Sequence, residues 1–218
     1  MIKQILLIVS LFGLFTNKPT RSEPLNFRDD FEDNSNGWVQ EEINNSVLIQ
    51  RIENGMLYLE SNSDELGVAS SIDFEFDESR DFEIETRVKI LTDNYHCNVT
   101  LDFGIKQNVS GSRSAGGQDV NTTWGASSYY FGYSNSQEYL MAKWNKGKEK
   151  YYSRGYAAQI NPEDFNIIII KKEGKTSRFF INNQLVFEKP YKKMFGTGIG
   201  FSSSQNSRLW VDYFKITN

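Results

Sequence analysis

The chain has 218 residues, 24 Lys and Arg against 28 Asp and Glu, one Cys, one His and four Pro, and 14% of it is aromatic. A formal charge of -4 offers no general attraction to a polyanion, which argues against nucleic acid and anionic membrane surfaces as partners. One Cys excludes an intramolecular disulfide and a multi-thiolate zinc site, and a single His leaves a transition-metal centre short of nitrogen ligands, so no cofactor or metal is expected.

Lys3 precedes an apolar run, Ile5 to Phe15, that ends at polar Thr16-Asn17-Lys18-Pro19. The run is too short to cross a bilayer, which takes about 20 helical residues, and has the form of a secretory h-region with cleavage after Ser22. No membrane span is expected. Residues 1–22 contain Lys3, Lys18 and Arg21 and no acid, so their removal raises the acidic excess to seven. The expected product is one domain, residues 23–218, secreted or periplasmic.

From Leu25 onward the hydrophobic period is two. In Phe82 to Ile90, Phe82, Ile84, Val88 and Ile90 share one face while Glu83, Glu85, Arg87 and Lys89 share the other, which predicts a strand buried on one side. Further strands are predicted at Met56 to Glu60, Val99 to Ile105, Tyr129 to Tyr133, Tyr139 to Trp144, Ile167 to Lys171, Arg178 to Ile181, Gln184 to Glu188, Gly198 to Ser202 and Leu209 to Ile216. Turn chemistry separates them at Asn54-Gly55, Asn135-Ser136, Lys146-Gly147, Gly174-Lys175 and Asn182-Asn183. Short strands, frequent hairpins and no amphipathic helix predict an all-β, two-sheet antiparallel sandwich. Phe31, Trp38, Phe180, Leu185, Phe187, Phe201, Trp210 and Phe214 are assigned to its core. Lys106 to Ser127 is rich in Gly, Ser, Asn and Thr and predicts a long loop, the kind of segment that often carries function.

The segments Phe27 to Trp38, Asp81 to Glu85, Arg178 to Phe187, Gly198 to Phe201 and Val211 to Ile216 carry a resemblance. Together they are similar to the concanavalin A-like lectin/glucanase superfamily, and more narrowly to small secreted bacterial domains that begin D-D-F-x-D-N-x-x-x-W, here Asp29 to Trp38. The resemblance implies a jelly roll with paired first and last strands and a concave outer face that often meets sugar. It covers lectins, glucanases and laminin G-like modules alike.

Three constellations could carry chemistry. Asp81, Glu83 and Glu85 alternate along one strand, with neighbours about 7 Å apart, a spacing compatible with a glycosidase carboxyl pair. Their D-x-E-x-E order resembles the E-x-D-x-E strand of laminarinase-type glucanases, with Asp81 in place of the first Glu, and the same face continues into Arg87 and Lys89 as a solvated strand does. The second constellation arises because Val99, Leu101, Phe103 and Ile105 are expected to face the core, which turns His96, Asn98, Thr100 and Asp102 outward as a polar row. Neighbouring strands would add Tyr130 beside Gly132, Trp144 beside Ala142, then Tyr152 and Arg154, giving aromatic shelves with polar groups to orient hydroxyls; Trp124 of the 106–127 segment joins them. The third is acidic: Asp29, Asp30, Asp33, Asn34 and Asp212 would approach one another if first and last strands pair, as calcium ligands must, although their spacing matches no calcium loop. His96 and Cys97 are adjacent on a strand and point to opposite faces, so Cys97 is expected to be a buried small hydrophobe.

The expected function is that of a non-catalytic module binding a glycan or cell-surface polysaccharide through the concave face and the 106–127 segment. The alternatives are a glycoside hydrolase using Asp81, Glu83 and Glu85, and a laminin G-like protein-interaction domain.

Overall fold

A computed structural model of the chain describes residues 24–40, 45–75, 77–92, 97–115 and 118–218, without the side chains of 107–115 and 118–126. The expected secretory segment, residues 1–22, and His96 lie outside the described residues.

Among the described residues, fourteen strands form two antiparallel sheets. The eight-stranded sheet runs β12 (Gln184–Pro190), β11 (Thr176–Ile181), β10 (Asn166–Glu173), β5 (Phe82–Ile90), β14 (Ser207–Thr217), β3 (Met56–Ser61) and β2 (Leu48–Glu53), with β1 (Asn26–Asp29) also paired to β14. The six-stranded sheet runs β4 (Ala69–Asp73), β13 (Gly198–Ser203), β6 (Asn98–Ala115), β7 (Gln118–Ser134), β8 (Glu138–Asn145) and β9 (Lys148–Tyr156). This is the jelly roll of the concanavalin A-like type. First and last strands pair as the resemblance implies, Asn26 opposite Thr217 and Asp29 opposite Phe214.

Hairpin register comes from turn residues that tolerate positive φ. Asn54-Gly55, Lys146-Gly147 and Asn182-Asn183 all lie in the left-handed region, and each closes a two-residue loop between paired strand ends. The inner faces then interdigitate around Trp38, whose ring lies 5.7 Å from Phe31, 5.5 Å from Phe201 and 5.4 Å from Phe214. Each such Phe removed from water stabilises the fold by about 1.5–3 kcal/mol. β10 is apolar on both faces: Ile168 and Ile170 meet the core while Ile169 is buried on the outside.

Three expectations change. Phe180, Leu185 and Trp210 are not in the inter-sheet core, because the alternation that buries Phe179 and Val211 turns their neighbours outward, and Leu185 is half exposed. Residues 106–115 and 118–127 are not a loop but extend β6 and β7 as paired antiparallel strands, with Val109 opposite Trp124 and Ala115 opposite Gln118. Polar Ser, Thr and Asn residues suppress the hydrophobic alternation by which a strand is recognised, but they do not prevent backbone pairing. Ile105 leaves the core side, because Gly104 adopts φ +63° and the β6 register shifts there.

Candidate functional site

The groove begins on β6. Val99 and Leu101 are fully buried and Phe103 nearly so, and the alternation places Asn98, Thr100 and Asp102 on the outer face of the six-stranded sheet. β13 brings Ser202 alongside, β7 adds Ser128 and Tyr130, β8 Leu140 and Trp144, and β9 Glu149 and Tyr151. Together they enclose about 440 Å³, within the usual range for a small-molecule site. Pairing sets the rows across the sheet: Gly200, Asp102, Tyr130, Ala142 and Tyr151 stand in one, and Ser128, Trp144 and Glu149 in the next. Gly200 and Ala142 are both buried, Gly200 against Ser70 and Ser71 of β4.

The floor is a hydrogen-bonded chain. Thr100 donates through Oγ1 to Asp102 at 2.7 Å, and its oxygen lies 2.7 Å from the Ser202 hydroxyl, which then donates to it. Burial pushes the Asp102 carboxyl up to about 6, against the opposing effect of the Thr100 hydroxyl, which stabilises its ionised form. Tyr130 donates to Glu149 across β8, and its phenol is raised first by burial and then by that carboxylate. The Tyr151 phenol is raised chiefly by its bond with Glu149. Trp144 is 37% exposed and Tyr151 52%, so two aromatic surfaces remain open to a ligand.

Of the residues singled out from sequence, Asn98, Thr100, Asp102, Tyr130 and Trp144 come together here. Tyr152 does not. Tyr151 pairs with Ala142 in the register set by the hairpin and faces the groove, so Tyr152 alternates inward to pack against the core beside Tyr129, and a bulge at this point then pairs Ser153 with Met141. Arg154 shares the outer face but lies outside the groove, paired to Glu138 at 2.6 Å. The backbone of Trp124 sits in the extension of β7, and its side chain is outside the described residues. Sequence reasoning missed Tyr151, Glu149 and Ser202. Counting across the hairpin from Lys146-Gly147 would have found the first two, since Asn145 pairs with Lys148 and Trp144 with Glu149.

The other constellations disperse. Glu83 and Glu85 lie on the outer face of the eight-stranded sheet, away from the groove, because Ile84 and Val88 face the core. Glu83 pairs with Lys171 at 2.7 Å, Glu85 accepts from the Tyr213 hydroxyl at 2.8 Å and lies 3.8 Å from Lys215, and Asp81 accepts the Gly174 amide at 2.7 Å. The acidic cluster is likewise divided among internal partners: Asp29 holds Trp38, Asp30 pairs with Arg28, Asp33 caps Ser35, Asn34 bonds Val39 and Asp212 pairs with Arg87. Cys97 is buried and its thiol is pushed up by that burial.

No protein-family model and no curated protein sequence matches this chain. Solved structures do. The carbohydrate-binding module CBM66 from Bacillus subtilis superposes with a TM-score of 0.55 at 13% identity, over 80% of this chain and 92% of that one. A Bacillus subtilis protein of unknown function with a galectin-like fold gives 0.60 at 11% identity, over 88% and 94%. An endo-β-1,3-glucanase from Pyrococcus furiosus gives 0.54 at 12%, over 88% and 93%. At these identities the likeness is one of fold.

Proposed function

We propose that this protein is an extracellular binding module that takes a glycan in the groove on its six-stranded sheet. The observation that carries the reading is the combination of open rings at Trp144 and Tyr151 with a hydrogen-bonding floor at Asn98, Thr100, Asp102 and Ser202. Aromatic faces offer an apolar surface to the C–H side of a sugar ring, and the floor offers donors and acceptors for its hydroxyls. The jelly-roll neighbours include a carbohydrate-binding module and a glucanase, which supports a saccharide ligand. The apolar run at Ile5 to Phe15 supports export, and no helix among the described residues is long and apolar enough to cross a membrane.

The test is a glycan array with the purified protein beside its Trp144→Ala and Tyr151→Ala variants. Binding to a defined saccharide that falls roughly tenfold in either variant, with the fold intact by circular dichroism, is the expected result. A folded protein that binds no saccharide would reject the reading.

A further inference from the structure

Charge in the groove is one-sided. Among its described lining residues Asp102 and Glu149 are the charged groups, and none is Lys, Arg or His. The two carboxylates come from β6 and β9, three strand spacings apart, roughly 14 Å across the sheet, with Tyr130 and Trp144 on the strands between. Nearby cations are directed elsewhere. Lys143 and Lys150 stand in the same row as Tyr129, whose side chain faces the core, and their ammonium groups lie 6.0 Å from the rings of Phe195 and Tyr152 respectively. Arg154 is on the groove face but is held by Glu138.

We propose that the groove discriminates glycans by charge, accepting neutral and amino sugars and rejecting uronic acids and sulfated sugars, an inference that rests on the glycan reading above. A ligand carboxylate or sulfate entering here would lose water and gain no described cation, while facing Asp102 or Glu149; a hydroxyl or ammonium can donate to either. Asp102 titrates near 6, so it is mostly ionised at pH 7.5. The floor hydroxyls add no positive charge: Thr100 already donates to Asp102, and Ser202 donates to Thr100. Specificity of this kind depends on repulsion of the wrong ligand as much as on attraction of the right one.

The experiment compares matched probes at pH 7.5 and low salt: galacto- with galacturono-oligosaccharides, manno- with mannurono-oligosaccharides, and glucosamine oligomers, by array and then calorimetry. The expected result is that the acidic member of each bound pair binds at least about tenfold more weakly. Asp102→Asn and Glu149→Gln should each narrow that ratio severalfold, and about 0.5 M salt should narrow it too. Acidic probes that bind as well as neutral ones, and lose binding in Trp144→Ala, would overturn the charge rule while leaving the glycan reading standing. An unchanged ratio in both carboxylate variants would also overturn it. Failure of every probe to bind would remove the glycan reading and the inference together.

Discussion

Trp38 donates its indole Nε1–H to Asp29 Oδ2 across 2.7 Å in the interior of the sandwich. The same carboxylate accepts the Phe31 amide at 2.8 Å through Oδ1 and the Asn36 side-chain amide at 2.8 Å through Oδ2. Phe31 has φ +52°, a region bulky residues avoid, and the Asp29 bond helps hold it there. The opening Asp29 to Trp38 segment is thus a knot that ties the first strand to the aromatic core. Asp29→Ala should cost about 2–4 kcal/mol, since it strands a buried indole donor and two amides. Urea unfolding followed by tryptophan fluorescence measures this.

Tyr151 lines the groove and Tyr152 packs against the core, so the two adjacent tyrosines should separate the proposed binding from packing. Tyr151→Ala should weaken saccharide binding roughly tenfold and leave stability within about 0.5 kcal/mol, as befits an exposed ring. Tyr152→Ala should do the reverse, costing about 1–2 kcal/mol of stability through lost contact with Tyr129 and the core, with affinity nearly unchanged. Paired calorimetry and denaturation on the two variants decide it.

Asp102 makes stability pH-dependent in a defined window. Its native value near 6 exceeds the ordinary 3.8, so between about pH 4 and 6 the native state holds a proton that the unfolded chain has released. Its contribution therefore falls as pH rises through that window. Asp102→Asn should match the wild type near pH 4 and be more stable by about 2 kcal/mol at pH 7. Urea titrations at pH 4, 5, 6 and 7 trace the divergence; parallel curves would contradict the assignment.

Gly200 permits the contact between β4 and β13. A Cβ there would fall 2.1 Å from the Ser70 carbonyl oxygen, which real Cβ atoms do not approach. Gly200→Ala should cost about 2–3 kcal/mol by forcing the strands apart. Loss of amide protection in Ala69 to Asp73, read by hydrogen exchange, would locate the damage.

Cys97 should be silent to thiol reagents in the native protein. It is buried and its thiol is pushed up, both of which suppress the thiolate. Native labelling with iodoacetamide at pH 8 should be at least about a hundredfold slower than in urea.

Much of the fold was legible in local pattern. Period-two alternation in Phe82 to Ile90 specified the buried face of β5, and positive-φ residues at Asn54-Gly55, Lys146-Gly147 and Asn182-Asn183 specified hairpins, because both signals are carried by neighbours in the chain. The outward row Asn98, Thr100 and Asp102 came from the same alternation. Tertiary structure decided what alternation cannot carry. The β9 bulge breaks the in-out alternation after Tyr151, so that Arg154 keeps the groove face while Tyr152 turns inward, and the left-handed Gly104 displaces the alternation in β6 so that Ile105 reaches the groove. The Asp81, Glu83 and Glu85 strand and the Asn98 to Asp102 strand look alike as sequence. Only sheet order places one row among lysines on the far side and the other beneath open aromatic rings, because the partners of a strand are chosen by long-range pairing and not by its own residues.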